Sequence, residues 1–336
     1  MIISENKSLL SFNTFGIDVR ADYVVEYDSI DDLREVLGTD LLRNGRFLHV
    51  GSGSNLLFTQ HFRGTILHSQ IKLIRVIEEN SESVLVEVGA GVIWDDFVAF
   101  AVGNGWGGVE NLSLIPGEVG ASAVQNIGAY GVEVSDVIVN VNGMDTENHE
   151  FGTFTKDECN YGYRDSVFKK ELKGKFIVTS VVFKFNKLPV YSLDYQHLEQ
   201  EVLKKGKADL KNIRETIIEI RRQKLPDVHE QGNAGSFFMN PVIPARHFKK
   251  LQTEYPLIPH YMISEEEEKI PAGWLIEQCG WKGKRVGNAG VHDKQALVIV
   301  NHGGANPAEI IYLAEQIQKS VKERFGIELI PEVNYI

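Results

Sequence analysis

The sequence predicts an α+β fold, and three observations lead to that class. Runs rich in β-branched residues, separated by short glycine turns, dominate the chain up to residue 185. Helical patterns with clear caps become frequent only after residue 209. The third observation is length: a chain of 336 residues is too long for one hydrophobic core, so we expect two or three domains.

One short helix and several strands account for the first half of the chain. Residues 29–37 have a helical pattern, capped by Asp28 or Ser29. Extended patterns predict strands at residues 46–50, 56–58, 71–78, 84–88, 136–142 and 176–185. The strands at residues 71–78 and 84–88 form a predicted hairpin whose turn contains Asn80 and Ser81.

Two helices with well-marked ends are predicted in the last third of the chain. Asp209 is a suitable N-cap for a helix that ends before Pro226. Asn306 and Pro307 open a second helix with the N-cap and first-turn proline that helices favour, and Gly326 ends it. The segment after Gly326 has a β-like pattern and closes the chain.

A glycine run between residues 103 and 131 is the strongest functional signal. It contains eight glycines and neither lysine nor arginine. Glycine lets backbone N–H groups approach a ligand closely, which allows phosphates to be held without point charges. Glycine turns at residues 51–55 and 89–91 follow predicted strands and add further backbone donors. We therefore expect an anionic cofactor.

Two common nucleotide motifs do not account for these glycines. Gly103, Gly105 and Gly108 match G-x-G-x-x-G, but that fingerprint requires a preceding strand. Residues 94–102 instead have an amphipathic helix pattern, and a Pro-Gly pair breaks the chain soon afterwards. The sequence also lacks G-x-x-x-x-G-K-[ST]. A Rossmann domain and a P-loop kinase or ATPase are therefore disfavoured.

Charge and composition exclude other classes of function. A net charge of −11 argues against a general binder of nucleic acid or anionic membranes. The N-terminus lacks a signal layout and no apolar run reaches the about 18 residues of a membrane helix, so we expect a cytoplasmic protein. Cys159 and Cys279 lie far apart, which favours reduced thiols. The histidines show no paired ligand spacing, so we expect no metal.

Two short segments carry candidate chemistry. Residues 160–166 combine two tyrosines with Arg164 and Asp165, a set that suits a carboxylate or phosphate, although a solvated Arg-Asp turn is the alternative. Residues 232–241 place Ser236 between a glycine turn and two phenylalanines. Such a serine usually bonds only to nearby backbone, and the lack of G-x-S-x-G argues against a nucleophile. A role as proton donor stays open.

Charged residues in the second half of the chain are the remaining candidate functional residues. Arg221, Arg222 and Lys224 form a basic cluster that could meet an anionic ligand, although the end of a helix also favours cations. Glu332 interrupts an apolar C-terminal segment. A carboxylate there is either on an exposed face or buried with a partner.

Seven segments are long enough to identify a family. They are residues 50–58 (VGSGSNLLF), 115–131 (IPGEVGASAVQNIGAYG), 161–169 (YGYRDSVFK), 224–227 (KLPD), 232–241 (GNAGSFFMNP), 272–283 (AGWLIEQCGWKG) and 331–336 (PEVNYI). Together they resemble the UDP-N-acetylenolpyruvoylglucosamine reductases. The resemblance extends over nearly the whole chain.

The resemblance implies a fold and a division into domains. It implies an FAD-binding fold of the vanillyl-alcohol-oxidase type, made of two α+β subdomains, together with an α+β substrate-binding domain. Residues 1–70 and 71–215 would be the two FAD-binding subdomains, and residues 216–330 would bind substrate. The C-terminal strand is a candidate to return to the second subdomain.

The resemblance also implies a reaction. NADPH would pass a hydride to FAD, which is expected to be non-covalent because the loop has Ser54 rather than His or Cys. Flavin N5 would then reduce UDP-N-acetylglucosamine enolpyruvate to UDP-N-acetylmuramate for peptidoglycan, and so support cell shape and division. We expect a monomer that binds small molecules, without nucleic acid and without membrane insertion.

The family's site residues carry over to matching positions. Ser236 corresponds to the proton donor, and Arg164 and Glu332 correspond to the residues that stabilise charge on the substrate carboxylate. The substrate-binding positions are Tyr163, Tyr195, Lys224 and Asn240. The FAD-binding positions are Gly51, Ser52, Gly53, Ser54, Asn55, Pro116, Gly117, Gly120, Ala121, Gln125, Asn126, Gly128, Ala129, Gly131 and Arg221.

Two other classes of function stay open at this point. An FAD-linked sugar or alcohol oxidase on the same fold would be reoxidised by oxygen, but it leaves Ser236 and Lys224 without roles. A module that binds a nucleotide sugar without flavin would be colourless.

Overall fold

The computed structural model of the protein describes residues 1–43, 45–195 and 197–336. The α-helices in these residues are α1 (Ile30–Leu37), α2 (Asp40–Arg43), α3 (Trp94–Gly103), α4 (Val119–Gln125), α5 (Leu198–Leu203), α6 (Leu210–Lys224), α7 (Ala245–Glu254), α8 (Ala272–Gln278) and α9 (Pro307–Phe325). The strands are β1 (Ile2–Ser8), β2 (Arg20–Tyr27), β3 (Phe47–His49), β4 (Leu56–Leu57), β5 (Phe62–Ser69), β6 (Ile74–Glu79), β7 (Ser83–Gly89), β8 (Gly128–Ala129), β9 (Val132–Glu133), β10 (Ile138–Asp145), β11 (Phe151–Thr155), β12 (Phe176–Asn186), β13 (Gly232–Ser236), β14 (Val242–Pro244), β15 (Tyr261–Met262), β16 (Glu267–Lys269), β17 (Arg285–Val286), β18 (Ala289–Val291), β19 (Val298–Asn301) and β20 (Asn334–Tyr335).

The best-marked helices follow the predicted local chemistry. At the start of α9, the Asn306 side chain accepts a hydrogen bond from the Glu309 amide at 3.0 Å, and the Glu309 carboxylate accepts one from the Asn306 amide at 2.9 Å. This capping box satisfies two end amides, and Gly326 ends the helix at φ 65°. In α1 the cap is Ser29, whose Oγ accepts a hydrogen bond from the Asp32 amide at 3.0 Å. The helices predicted to begin at Ser29 and Asn306 are therefore confirmed.

The chain forms two compact units, each built from separate stretches of sequence. The first unit comprises Met1–Lys7, Arg20–Ser52 and Arg63–Arg221, and the second comprises Ser8–Val19, Gly53–Phe62 and Arg222–Ile336. The three-way division at residues 70 and 215 stays a prediction.

Two sheets organise the first unit. One has the strand order β1-β2-β5-β3, with β3 and β5 parallel. The other has the order β11-β10-β12-β7-β6 and is antiparallel, which confirms the predicted hairpin of β6 and β7. Helix α4 packs on β7 and β12 of this sheet. Trp94, Phe97 and Phe183 lie in its core, with the ring centroids of Phe97 and Phe183 5.0 Å apart. This sheet is therefore the support of the glycine run.

The second unit contains two small antiparallel sheets and one parallel pair of strands. The sheets have the orders β13-β19-β18-β17 and β14-β16-β15. Helix α9 packs on β18 and β19. The C-terminal strand β20 pairs in parallel with β4, directly after the first glycine turn. Among the described helices, none is long and apolar enough to cross a membrane.

Helix α4 is one of several helices that were not predicted, along with α2, α5, α7 and α8. It forms within the glycine run, where only turns were expected. Its start is bonded to a distant turn: the Val119 amide donates to the Val92 carbonyl at 2.9 Å, and the Gly120 amide donates to the Ala90 carbonyl at 3.0 Å. These tertiary hydrogen bonds outweigh the weak helix propensity of a glycine-rich segment.

Candidate functional site

The first glycine loop, residues 51–55, follows β3 and contains an unpaired hydroxyl. Ser52 Oγ is buried and has no hydrogen-bond partner among the residues that the structure describes. Gly53 has φ 65°, and a Cβ at this position would lie 1.9 Å from the Phe12 carbonyl oxygen, so only glycine fits. Because a buried hydroxyl is costly without a partner, Ser52 suits a ligand with acceptor oxygens.

The predicted cofactor positions at the start of α4 lie against the turn after β7. The Gly117 carbonyl accepts a hydrogen bond from the Trp94 amide at 3.0 Å. A Cβ at Gly120 would lie 2.7 Å from the Ala90 Cβ, so the two backbones approach too closely for a side chain. Pro116 and Ala121, on either side, are exposed.

Asn126 ends α4 and joins three segments of the first unit. It is fully buried, with φ 47°. Its Nδ2 donates to Glu133 Oε2 at 2.8 Å and to the Gly162 carbonyl at 2.9 Å, and its Oδ1 accepts from the Ser135 amide at 3.2 Å. The end of the glycine run is thereby bonded to the turn that contains Arg164. The other predicted positions of this segment are Gln125 in α4, Gly128 and Ala129 in β8, and Gly131 in the turn before β9.

Arg164 is half-buried on a left-handed backbone, at φ 56°. Its guanidinium donates to the Asn126 carbonyl at 3.3 Å and to the Gly128 carbonyl. The same group lies over the Tyr163 ring, 5.2 Å from its centroid. Non-glycine residues at positive φ are strained, and they persist where the surroundings fix them, which is common at functional sites.

The remaining contacts of this turn hold its backbone. Gly162 and Asp165 exchange two backbone hydrogen bonds, each 3.1 Å long. Lys169 Nζ donates to the Arg164 carbonyl at 2.6 Å, and the Asp165 carboxylate forms an ion pair with Lys170. The turn is therefore bonded into the first unit rather than solvated.

Arg221 contacts the middle of the glycine run. Its Nε donates to the Leu114 carbonyl at 3.2 Å. Burial lowers the pKa of Arg221, opposed by the nearby Tyr130 and Asp95. Asp95 accepts hydrogen bonds from Arg214 at 2.7 Å and from the Leu114 amide at 2.5 Å. Burial of this carboxyl is outweighed by these partners, so the pKa of Asp95 is lowered.

Two tyrosines pack beside this network. Tyr195, 36 % exposed, meets Tyr130 edge to face, with ring centroids 5.6 Å apart. The side-chain Nδ2 of buried Asn111 donates to the Tyr130 carbonyl at 3.0 Å and to the Ser192 carbonyl at 2.8 Å. One side chain therefore fixes the backbone near both tyrosines.

Ser236 lies at the exposed end of β13, in the second unit. The pairing of β13 with β19 is interrupted between Asn233 and Ser236, and Gly235 has φ 67°. The buried Asn233 side chain closes this bulge: its Oδ1 accepts from the Gly235 amide at 2.9 Å, and its Nδ2 donates to the Gln231 carbonyl at 2.8 Å. Ser236 Oγ makes no hydrogen bond within the described residues, contrary to the alternative of a backbone-bonded serine.

Glu332 is brought next to the Ser236 segment within the second unit. The Glu332 amide donates to the carbonyl of Phe237, the residue after Ser236, at 2.8 Å. The Glu332 carbonyl accepts from Asn55 Nδ2 at 3.2 Å, and the Glu332 side chain is half-buried. Ser236, Glu332 and the end of the first glycine loop therefore belong to one bonded group.

The two other predicted substrate positions of this unit have different surroundings. Asn240 is half-buried, and its Oδ1 accepts a hydrogen bond from the amide of Ala272, the first residue of α8, at 2.9 Å. Lys224 is exposed at the last position of α6.

Several residues that shape these sites were not predicted from the sequence. Asn111 and Asn233 fix backbone beside candidate residues, and Glu118 is 5 % exposed next to the first glycine loop. A Cβ at Gly51 would lie 3.0 Å from Glu118 Oε2. One sequence signal was present, since Glu110 and Glu118 are the only charged residues in the glycine run.

Comparison with known protein families gives matches in both parts of the chain. Residues 21–148 match the model described as FAD binding domain. Residues 227–336 match the model described as UDP-N-acetylenolpyruvoylglucosamine reductase, C-terminal domain.

Whole proteins of the same kind match over the full chain. The UDP-N-acetylenolpyruvoylglucosamine reductase of Bacteroides fragilis is 52 % identical over 334 residues, covering 99 % of this chain and 100 % of that protein. The one from Porphyromonas gingivalis is 47 % identical over 338 residues, covering 100 % of both. The crystal structure of the Thermus caldophilus reductase has a TM-score of 0.70 at 22 % identity, covering 99 % of this chain and 98 % of that one. These matches confirm the predicted α+β, FAD-binding fold.

Proposed function

The chain belongs to the UDP-N-acetylenolpyruvoylglucosamine reductase family, and we propose that it uses NADPH to reduce UDP-N-acetylglucosamine enolpyruvate to UDP-N-acetylmuramate. It is an FAD-dependent oxidoreductase of peptidoglycan precursor synthesis. NADPH as the reductant, the monomeric state, the cytoplasmic location and the residue roles below are parts of the proposal.

The residues present fit FAD at the first glycine loop and the glycine run. The buried Ser52 hydroxyl, which has no partner within the described ranges, and the backbone of Gly51 suit the acceptor oxygens of a diphosphate. When bound, FAD supplies two-electron transfer between a nicotinamide and the enolpyruvyl group. The other residues that would hold FAD are Gly53, Ser54, Asn55, Pro116, Gly117, Gly120, Ala121, Gln125, Asn126, Gly128, Ala129, Gly131 and Arg221.

Arg164 is proposed to stabilise the negative charge that reduction places on the substrate carboxylate. Its guanidinium is already oriented by two backbone carbonyls and the Tyr163 ring, so little reorganisation is needed when charge develops. One such preoriented donor is worth about 3 kcal/mol of transition-state stabilisation. Glu332 is proposed to assist in positioning the same carboxylate.

Ser236 is proposed to donate a proton to the enolate-like carbon of the substrate, which completes the reduction. The observation that carries this role is the bulge of β13, which exposes a hydroxyl that makes no hydrogen bond within the described residues. The next residue, Phe237, accepts a hydrogen bond from the Glu332 amide. An enolate-like carbon is basic enough to take a proton from a nearby hydroxyl, although serine is a weak acid. Exposure lets solvent return the proton after turnover.

The remaining substrate positions are proposed to bind the nucleotide sugar. Lys224 and Tyr195 would contact the diphosphate, since a lysine cation at an exposed helix end and a tyrosine hydroxyl both suit phosphate oxygens. Tyr163 and Asn240 would bind the rest of the substrate. Because Asn240 Oδ1 already accepts from Ala272, its amide N–H groups are the part that would donate to substrate.

Flavin absorbance under anaerobic stopped flow tests the proposal. NADPH is added first and UDP-N-acetylglucosamine enolpyruvate second. We expect the oxidised flavin absorbance to bleach with NADPH and to recover on the second addition. Recovery with oxygen alone would instead indicate an oxidase, and a colourless protein that binds no added FAD would overturn the proposal.

A further inference from the structure

Glu118 is a buried acid without a visible role in the fold. It is 5 % exposed, directly before α4, and the described part of the chain offers its carboxyl neither a hydrogen bond nor an ion pair. A charged carboxylate in this state is unfavourable, because an unpaired buried ion loses its hydration without compensation. The fold alone therefore does not explain why an acid occupies this position.

Glu110 shows what a structural acid in the same glycine run looks like. It is 3 % exposed, and its carboxylate accepts a hydrogen bond from the Gly108 amide at 2.6 Å. Burial raises the pKa of Glu110, opposed by this and other backbone amides. The two acids are about equally buried, but among the residues that the structure describes only Glu110 has a donor of its own. The missing partner of Glu118 is therefore not a general property of the run.

The position of Glu118 points to the first glycine loop. Its Oε2 lies 3.0 Å from the place that a Cβ on Gly51 would occupy, so the carboxyl is packed on the loop backbone. The next residue, Ser52, carries a buried hydroxyl that also has no partner in the described residues. These two polar groups, which lack a partner among the described residues, meet at the same loop and indicate a shared ligand.

We propose that Glu118, in its neutral form, donates a hydrogen bond to the diphosphate of FAD at Gly51 and Ser52, so that cofactor affinity falls at alkaline pH. This inference rests on the proposed function, which assigns this loop to the diphosphate. A neutral carboxyl is both donor and acceptor, whereas a carboxylate only accepts and would repel a phosphate.

The charges around Glu118 set the pH at which the donor is lost. Burial raises the pKa of Glu118 to about 8, and Lys72, which follows β5, opposes that rise. Tyr27 of β2 also faces it; burial raises the pKa of Tyr27 further above its usual value, opposed by a hydrogen bond with Ser69, so Tyr27 stays neutral in this range. The charge of Glu118 therefore changes between pH 7 and 9, whereas Tyr27 stays neutral.

The sign of the effect follows from linkage. Bound FAD favours the neutral carboxyl, so binding raises the pKa of Glu118 beyond its value in the free protein. The dissociation constant of FAD should then be constant below about pH 7.5 and increase above the free-protein pKa, by up to about tenfold per pH unit. A glutamine keeps a donor at every pH and should remove the dependence.

The test is an FAD titration of the apoprotein, followed by flavin fluorescence between pH 6.5 and 9. Wild type should bind FAD more weakly by about tenfold at pH 9 than at pH 7. Glu118→Gln should bind with a constant affinity over the range, and the matched Glu110→Gln control should behave like wild type. A pH-independent wild type, or the same pH dependence in wild type and Glu118→Gln, would overturn the inference.

A second variant keeps the test decisive without changing a buried residue. Lys72→Met removes an exposed cation whose field lowers the pKa of Glu118, so the loss of affinity should begin at a higher pH. An unchanged onset in this variant counts against Glu118 as the titrating group. Failure of wild type to bind FAD at any pH would overturn the proposed function itself, whereas binding without pH dependence would overturn this inference alone.

Discussion

The Arg164 turn (residues 161–165) and the Ser236 bulge (residues 233–236) both present a candidate side chain from irregular backbone, but they fix it differently. The Arg164 guanidinium is bonded to the Asn126 and Gly128 carbonyls. Ser236 Oγ has no hydrogen bond in the described part of the chain, and its position comes from Asn233 and the β13 backbone. The turn fixes a side chain, whereas the bulge fixes only a main chain.

This difference matches the chemistry proposed for each group. A cation that stabilises developing charge works best when it is already oriented, since reorientation during the reaction costs free energy. A proton donor instead needs freedom to aim at the reacting carbon and to exchange its proton with water. We therefore expect the two regions to respond to mutation in different ways.

Ser236→Ala should have the largest effect. Loss of the proton donor should slow flavin reoxidation by the enolpyruvyl substrate by about 10²- to 10⁴-fold. Flavin reduction by NADPH should keep its rate, because the change removes one exposed hydroxyl that none of the described residues bonds. Single-turnover stopped flow measures the two half-reactions separately.

The matched control for this change is Ser264→Ala. Ser264 is an exposed turn serine of the second unit, whose Oγ accepts from the Glu266 amide at 3.2 Å. It should leave both half-reactions unchanged. Equal reoxidation rates in wild type and Ser236→Ala would remove Ser236 as the proton donor.

Arg164→Ala should follow, with reoxidation slowed about 10²- to 10³-fold. Arg164→Lys should lie between wild type and alanine, since lysine keeps the charge but cannot donate to two carbonyls in the same planar geometry. The control is Arg63→Ala, at an exposed arginine paired with Asp22. If lysine performs as well as arginine, the orientation by the two carbonyls is irrelevant, and the contrast between turn and bulge fails for Arg164.

The sequence could predict the elements whose signals are local. The capping box of α9 and the stop at Gly326 are set by neighbouring residues, and their positions were predicted from them. Helix α4 could not be predicted in this way, because its start depends on backbone hydrogen bonds to Ala90 and Val92, far away in the chain. Glycine and proline in the segment favour turns, and tertiary contacts overrode that preference.

The candidate site shows the same limit. Arg164 and Ser236 were singled out from their own short motifs, and the family resemblance assigned their roles. The contacts that hold them could not be predicted: Asn126 was named only as a cofactor position, and its bond to Gly162 spans 36 positions of sequence. Likewise, the exposure of Ser236 depends on a bulge between β13 and β19, and no sequence pattern predicts its location.

Asn126→Ala should destabilise the first unit and loosen the Arg164 turn. The change removes three hydrogen bonds from a fully buried side chain and leaves the Gly162 carbonyl and the Ser135 amide without this partner, at a cost of about 2–3 kcal/mol. Urea unfolding measures the loss. Asn148→Ala, at an exposed turn residue that accepts from the Glu150 amide, is the control and should change stability by less than about 1 kcal/mol.

A double-mutant cycle sharpens that prediction. If Asn126 orients Arg164, the effects of Asn126→Ala and Arg164→Ala on the reoxidation rate should be non-additive in the double variant by at least about 1 kcal/mol. The reason is that the Asn126 side chain bonds the Gly162 carbonyl in the Arg164 turn, while its own carbonyl accepts from the Arg164 guanidinium. Independent effects of the two changes would show that Asn126 supports only the fold.

Asn233→Ala should have the smallest effect and tests the other side of the comparison. It removes two hydrogen bonds that close the Ser236 bulge, so stability should fall by about 1–2 kcal/mol. Reoxidation should slow only about threefold to tenfold, since the hydroxyl itself is retained and only its average position changes. Asn233→Asp keeps the acceptor for the Gly235 amide but loses the donor to the Gln231 carbonyl. Its stability and reoxidation rate should lie between those of wild type and Asn233→Ala. A loss as large as that of Ser236→Ala would mean that the hydroxyl needs a fixed orientation, as Arg164 does.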